Sequence, residues 1–178
     1  YIGRLVEKKG VIYAVRAFAK SFNKHNNIRL NIIGDGPLYN EITREIDKHG
    51  MKEHIKMLGY IKDTKPYLDE ADVFMSPSVV ARSGDAEGGI NVTVIEALAC
   101  GIPSLVTRQT QSDLIFDNQT GFIAKERDAE DLSAKMDILI ENPGFIIKFG
   151  IMGRRSVEKL DSKGQVVKLE NIYKELID

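Results

Sequence analysis

The sequence predicts an α/β fold: an open parallel sheet covered by helices on both faces, with a helical C-terminal extension. Three observations predict it. Short apolar runs alternate with segments of helical periodicity at intervals of roughly 25 residues, the signature of right-handed βαβ units. Several runs end at glycine, as short strands entering turns do. The chain has 178 residues, 43% of them hydrophobic, so residues 1–178 read as one domain with a sizeable core, or a domain plus its extension.

The opening "YIGRLVEKKG" reads as the last turn of a strand, with apolar residues leading straight into Gly3-Arg4. The beginning of that strand is expected upstream, which makes the chain an excised piece of a longer protein. "VIYAVRAFAKSFNKH" (11–25) has Ile12, Val15, Ala19 and Phe22 at helical spacing. "IRLNIIG" (28–34) is an isoleucine-rich strand, and "LYNEITREIDKHG" (38–50) a helix ended by Gly50. Further strands are expected at 54–60, 72–78, 102–107 and 121–124, and further helices at 64–70, 91–100, 128–141 and 144–177. The helix 91–100 is apolar nearly all round, so burial is expected; Asn91 can cap its start, and Gly101 with Pro103 stops it. No strand follows Pro143, so the last helices read as a packing appendage or a strap. Segment 81–90 reads as the least ordered.

A net charge of −1 provides no field for nucleic acid or an acidic membrane surface. The single cysteine, Cys100, gives no disulfide framework and fits a reducing compartment. No stretch approaches the roughly 18 apolar residues of a membrane span, and the opening residues are not expected to be a signal peptide. His25, His49 and His54 lie in polar surroundings and are expected to be solvated, without metal. Phe18, Phe22, Phe74 and Phe122 read as core, Cys100 as an inert thiol, and 125–131 as a solvated helix start.

In an open parallel sheet, ligands collect beyond the carboxyl ends of the strands. Glycines recur there: Gly3, Gly34 and Gly36, Gly59, and Gly88-Gly89 before the 91–100 helix. Each alone is only a turn; together they mark one edge. A helix start presents unpaired N–H groups, and bare glycines let an anion approach the backbone, so a phosphate is the natural guest. Glu96 lies about one turn deeper, where a carboxylate suits the vicinal hydroxyls of a ribose; Glu87 could serve a sugar hydroxyl. Two readings stand side by side: ligand carboxylates, or Glu96 ion-paired and Glu87 solvated. Arg4 and Lys9 flank a turn and could converge on a diphosphate, stabilising a leaving nucleoside diphosphate without a metal. Lys8 reads as a solvated neighbour.

"GRLVEKKG", "IIGDGP", "LGY", "ADVFMSPS" and "EGGINVTVIEALACGIPSLVT" stand in the order and at about the spacing of a known family. The chain resembles, over residues 1 to 175, the C-terminal donor-binding domain of a GT-B, GT4-type (group 1) retaining glycosyltransferase. The resemblance implies a Rossmann-like, doubly wound domain that faces an absent N-terminal, acceptor-binding domain across a cleft. It implies Arg4 and Lys9 as the diphosphate-binding pair, Glu87 as the acid holding the donor sugar, and Glu96 as the ribose acid. Backbone of Gly89, Ile90, Asn91 and Val92 would face the sugar and phosphates, with Gly88 beside them; Ile61 would read the base; Gly3, Gly34 and Gly36 flank the diphosphate; Ser76 and Ser78 lie nearby. The family's E-x7-E spacing is departed from: eight residues separate Glu87 from Glu96. The implied reaction transfers a sugar from a nucleoside-diphosphate sugar to a glycan or lipid-linked hydroxyl acceptor. The donor phosphate takes the acceptor proton, and no cofactor, metal or nucleic acid is involved. A metal-binding role for Asp85 with Glu87 belongs to the other glycosyltransferase fold. Cytoplasmic location, peripheral at the inner membrane face in the full-length enzyme, and polysaccharide biosynthesis are expected with it. The alternatives are a nucleotide-sugar-binding module without turnover and a GT-B-fold epimerase.

Overall fold

The computed structural model describes residues 1–89, 91–110, 114–160, 164, 166–167, 169 and 172–173. A 3-10 turn, Glu7–Lys9, leads through Gly10 into α1 (Val11–Phe22). Then come β1 (Leu30–Ile33), α2 (Tyr39–Lys48), β2 (Ile55–Gly59), α3 (Lys65–Asp69) and β3 (Phe74–Ser76). The chain continues through α4 (Val92–Ala99), β4 (Ser104–Thr107), β5 (Gly121–Ala124), α5 (Ala129–Glu141) and α6 (Pro143–Val157). The strands expected at 28–34, 54–60, 72–78, 102–107 and 121–124 and the helices expected up to residue 141 are present, the first four strands shorter than expected. Pro77 has no N–H for a ladder, and β3 stops at Ser76. The part of the expected tail that extends to 177 beyond α6 falls largely outside the described residues.

All strand pairs are parallel, as the βαβ pattern requires. They form two sheets rather than the single one expected: β1-β2, and β3-β4-β5. Ile2 makes one parallel bridge to Ile33, extending the first sheet by a stub. One apolar core joins α1, α2 and α5 to the sheets through side chains such as Phe18, Ile32, Leu105 and Leu132. A second lies under α3, α4 and α6, around Phe74, Leu98, Val106 and Val157. Helices therefore cover both faces, and the doubly wound α/β class is observed.

The α6 helix is an integral packing element. A Cβ on its Gly150 would meet the carbonyl of Gly101 at 2.0 Å, so α6 lies against the end of α4. Phe149 meets Phe122 edge-on at 5.4 Å. No helix among the described residues is long and apolar enough to cross a membrane.

The histidines are less solvated than expected. His25 Nε2 lies 3.4 Å from Glu141, His49 Nε2 lies 3.3 Å from Glu45, and the His54 ring packs 4.0 Å from that of Phe22. No cluster among the described residues could hold a metal ion.

Candidate functional site

The strand ends converge on one edge. Gly3 N–H donates to Ile33 O at 2.9 Å, and Gly34 N–H to Gly59 O at 2.7 Å. Gly34 has φ +140°, and a Cβ there would meet Gly3 O at 1.9 Å, so only glycine allows the two loops to touch. Gly36 is pressed against Leu5. On the far side, Val79 N–H donates to Lys8 O at 2.8 Å. Residues 3–10 are thus wedged between the ends of β1 and β3, which places Lys9 beside the 78–87 loop.

Lys9 Nζ meets Glu87 Oε2 at 3.0 Å, and the two side chains are 18% and 10% exposed. Ser78, fully buried, donates to the other carboxylate oxygen at 3.3 Å. Glu87 is therefore fixed through both oxygens rather than solvated. Lys8 and Asp85 also pair, at 3.1 Å, and Lys8 reaches Ala86 O at 3.4 Å, so Lys8 anchors this loop. Each carboxylate of a would-be Asp85–Glu87 metal pair faces its own lysine. Arg4 is exposed at the same edge. The Tyr1 phenol donates to Arg4 O at 3.0 Å. Burial first, and the Glu87 charge second, raise its pKa, so it stays protonated.

The α4 helix opens onto this edge. The Asn91 carbonyl oxygen accepts from Thr93 N–H at 3.2 Å, a side-chain cap, as expected. Asn91 Nδ2 donates to Ser76 Oγ at 3.0 Å, while Thr110 Oγ1 donates to Ser76 O at 2.9 Å. Ser76 is 2% exposed, so it lies beneath the site and holds Asn91. Thr107 donates to Ser78 O and braces the Glu87 support from below.

The helix is not buried all round: Val92 is 64% exposed, and Glu96 and Ala99 are open, one stripe along the helix. Among the described residues Glu96 has no ion-pair partner, so of the two readings the ion-paired one is not met. A Cβ on Gly88 or Gly89 would meet no atom of the described residues within 4 Å, and neither residue has a positive φ. Packing and backbone geometry give no reason for glycine at either place. Ile90 lies outside the described residues. Ile61 is half-buried in the loop after β2, next to Tyr60, which is 78% exposed.

Several supports were not foreseen. Val80 N–H donates to Glu126 at 3.2 Å, Arg127 donates to Val80 O and to Tyr13 Oη, and Arg82 N–H donates to Glu7 at 3.1 Å. The run 125–131 is thus a clasp on the 79–87 loop, not merely a solvated helix start. Its only local signal is the charge at 126–127.

The glycine loop, the exposed helix start and the Lys9–Glu87 pair thus share the carboxyl edge of a parallel α/β sheet, the edge at which such folds place their ligands. The sequence pattern of the family described as "Glycosyl transferases group 1" matches residues 1–142. The chain belongs to that family. It is 32% identical over 160 residues to the amylovoran biosynthesis glycosyltransferase AmsK of Erwinia amylovora, covering 88% of this chain and 39% of that protein. The chain therefore spans about two-fifths of that curated relative. Its fold matches the C-terminal domain of the group 1 glycosyl transferase LpcC of Francisella tularensis, with TM-score 0.77, 19% identity, and 88% and 81% of the two chains covered. It also matches HepE of Anabaena in complex with UDP, with TM-score 0.82, 18% identity, and 99% and 47% covered.

Proposed function

We propose that this chain is the donor-binding domain of a retaining, GT4-type glycosyltransferase, absent its N-terminal acceptor domain, that takes a nucleoside-diphosphate sugar. The observation that carries the reading is Gly88-Gly89: two glycines with no conformational or packing need, set before an exposed helix start and after a carboxylate held on both oxygens. Space without a structural purpose at a helix N-terminus suits an anion. Family membership and the UDP bound by HepE support a nucleoside diphosphate.

In this reading the diphosphate lies on the backbone of Gly89 to Val92, with Ile90 among them, flanked by Gly3, Gly34 and Gly36. Glu96, without a cationic partner among the described residues, takes the ribose hydroxyls, and backbone of Ile61 meets the base. Lys9 neutralises Glu87; an arriving diphosphate competes for that ammonium and leaves Glu87 to accept from a donor-sugar hydroxyl. Arg4 and Lys9 then stabilise the charge that grows on the leaving diphosphate as the glycosidic bond breaks. The departing phosphate oxygen accepts the acceptor's hydroxyl proton, and the new bond forms on the same face, which retains configuration. Positive charge from side chains and the helix start serves where a metal otherwise would. The acceptor is a glycan or lipid-linked hydroxyl, a reading supported by the amylovoran biosynthesis for which AmsK is named.

The test is transfer by the full-length protein carrying this domain. Glu87→Gln is expected to lower kcat by about 10²-fold, as loss of a group acting in the transition state does. The product is expected to keep the donor's anomeric configuration, and EDTA to leave the rate unchanged. An inverted product, or activity abolished by EDTA and restored by a divalent cation, would overturn the mechanism.

A further inference from the structure

The loop that carries Glu87 is not held by burial. Of residues 80–87 only Ala81 is buried, while Val80 and residues 82–85 are exposed. Its place depends on polar contacts, in two sets. One set comes from the turn that carries Lys9: Val79 N–H donates to Lys8 O, Arg82 N–H donates to Glu7 at 3.1 Å, and Lys8 pairs with Asp85. The other comes from the turn between β5 and α5. Val80 N–H donates to Glu126 Oε2 at 3.2 Å, and Arg127 Nη2 donates to Val80 O, so consecutive side chains take both backbone polar groups of one residue. Gln109 Nε2 ties the other Glu126 oxygen, at 2.8 Å, to the end of β4. Arg127 reaches further. Its Nη1 donates to Tyr13 Oη on α1 at 3.1 Å, and its Nη2 lies 3.6 Å from Glu7 Oε1. Arg127 also has φ +57°; among the described residues the other non-glycine with a left-handed backbone is Asn118, a type that tolerates it. Glycine would take this angle without strain, whereas arginine needs contacts that offset it. Extended backbone sends consecutive side chains to opposite sides; the left-handed turn lets Glu126 and Arg127 reach the same residue.

We infer that Arg127 is a positioning residue: it locks the loop that presents Glu87 to the turn that presents Lys9, and so sets how the two groups meet. The path to Glu87 is short. Val80 follows Ser78 and Val79; Ser78 Oγ donates to Glu87 Oε1 at 3.3 Å, while Lys9 Nζ holds Oε2 at 3.0 Å. Removing the guanidinium takes away the donor on Val80 O and the cation beside Glu7, leaving Glu126 on one side of Val80. In the reaction proposed above, on which this role rests, Glu87 accepts from a donor-sugar hydroxyl. A loosened loop holds that carboxylate over a range of positions instead of one, which slows the reaction. A nucleoside diphosphate has no donor sugar for Glu87 to hold, and the α4 start is anchored separately through Asn91 on Ser76. Arg127 therefore acts on turnover and not on nucleotide affinity. The left-handed backbone also separates its role from stability. Arg127→Gly removes the guanidinium and relieves the backbone at once, so the two effects on stability oppose each other.

The test uses the full-length protein carrying this domain, as the parent, Arg127→Gly, Glu87→Gln and the double variant. Hydrogen exchange across 79–87, the thermal midpoint and affinity for UDP, GDP and ADP are read. So is nucleotide release from UDP-glucose and GDP-mannose, with water as the acceptor. Arg127→Gly is expected to speed exchange across 79–87 at least ~10-fold while the midpoint stays within about 2 °C of the parent's. Nucleotide release is expected to fall about 10-fold and nucleotide affinity to change less than about 2-fold. Because Arg127 acts through Glu87, the double variant is expected to be no slower than Glu87→Gln alone. Unchanged exchange across 79–87, or a double variant in which the two losses multiply, would overturn the inference. So would exchange that rises throughout the domain with a falling midpoint, which would make Arg127 a general stabiliser. Exchange and midpoint decide the role of Arg127 even if the parent binds no nucleotide, a result that would count against the function proposed above and not against the clasp.

Discussion

Glycine serves two opposite purposes within this chain, and substitution separates them. Gly10 has φ +63°, and a Cβ there would meet Pro77 O at 1.9 Å. Gly10→Ala is expected to cost roughly 2 kcal/mol or more, because strain and overlap add. Gly88→Ala meets neither problem and is expected to change stability by less than about 0.5 kcal/mol, while weakening nucleotide-diphosphate binding about 10-fold by obstructing the backbone. Denaturant melts and calorimetry on the two variants check the contrast; an unstable Gly88→Ala of normal affinity would make Gly88 a structural residue. That Gly88, Gly89 and Glu96 share one helix start was legible because they lie within a few positions of one another in the chain. The Lys9–Glu87 pair was not, since 78 positions separate the partners and only the wedging of residues 3–10 against β3 brings them together. Ser76 was read as a ligand contact from its place in the chain; what the sequence hides is that its hydroxyl turns inward to Asn91.

At the scale of elements, α1 and α2 are latched by Arg16 Nε on Glu45 Oε1 at 2.5 Å, with His49 on the same oxygen at 3.3 Å. The Arg16 hydrogen bond lowers the Glu45 pKa, with burial opposing it. A lowered carboxylate pKa adds stability above its unfolded value near 4.5, and that stability is lost as pH falls through the folded value. Arg16 is 38% exposed, so screening keeps the effect small. Arg16→Met is expected to cost about 0.5 kcal/mol at pH 7, and almost nothing near pH 2. Thermal melts at the two pH values check this; an equal penalty at both would attribute the loss to packing of the arginine stem. The elements themselves were legible from period and turn residues. Their exposure was not: α4 reads as buried from composition, yet Val92, Glu96 and Ala99 form an open stripe, because one flank of the helix faces the edge rather than a neighbouring element.

At the scale of the molecule, βαβ alternation announced parallel pairing, and every observed pair is parallel. Local pattern says nothing about which strand edges meet, so the division into two sheets emerged only in three dimensions. The position of the site follows from the same geometry. Two sheets end at one edge, and residues 3–10 cross between them, leaving Arg4 exposed near the end of β1 and bringing Lys9 to the loop that presents Glu87, Gly88 and Gly89. The clasp of Glu126 and Arg127 on Val80 holds that loop from the side of β5.

The most direct measurement is calorimetric titration of residues 1–178 with UDP, GDP and ADP, beside Glu96→Ala and Arg4→Ala. The account predicts saturable binding of one nucleotide by the parent chain, weakened about 10-fold or more in each variant, as loss of a charge-assisted hydrogen bond implies. Binding that is indifferent to both substitutions, or no binding at millimolar nucleotide by either this chain or the full-length protein, would contradict it.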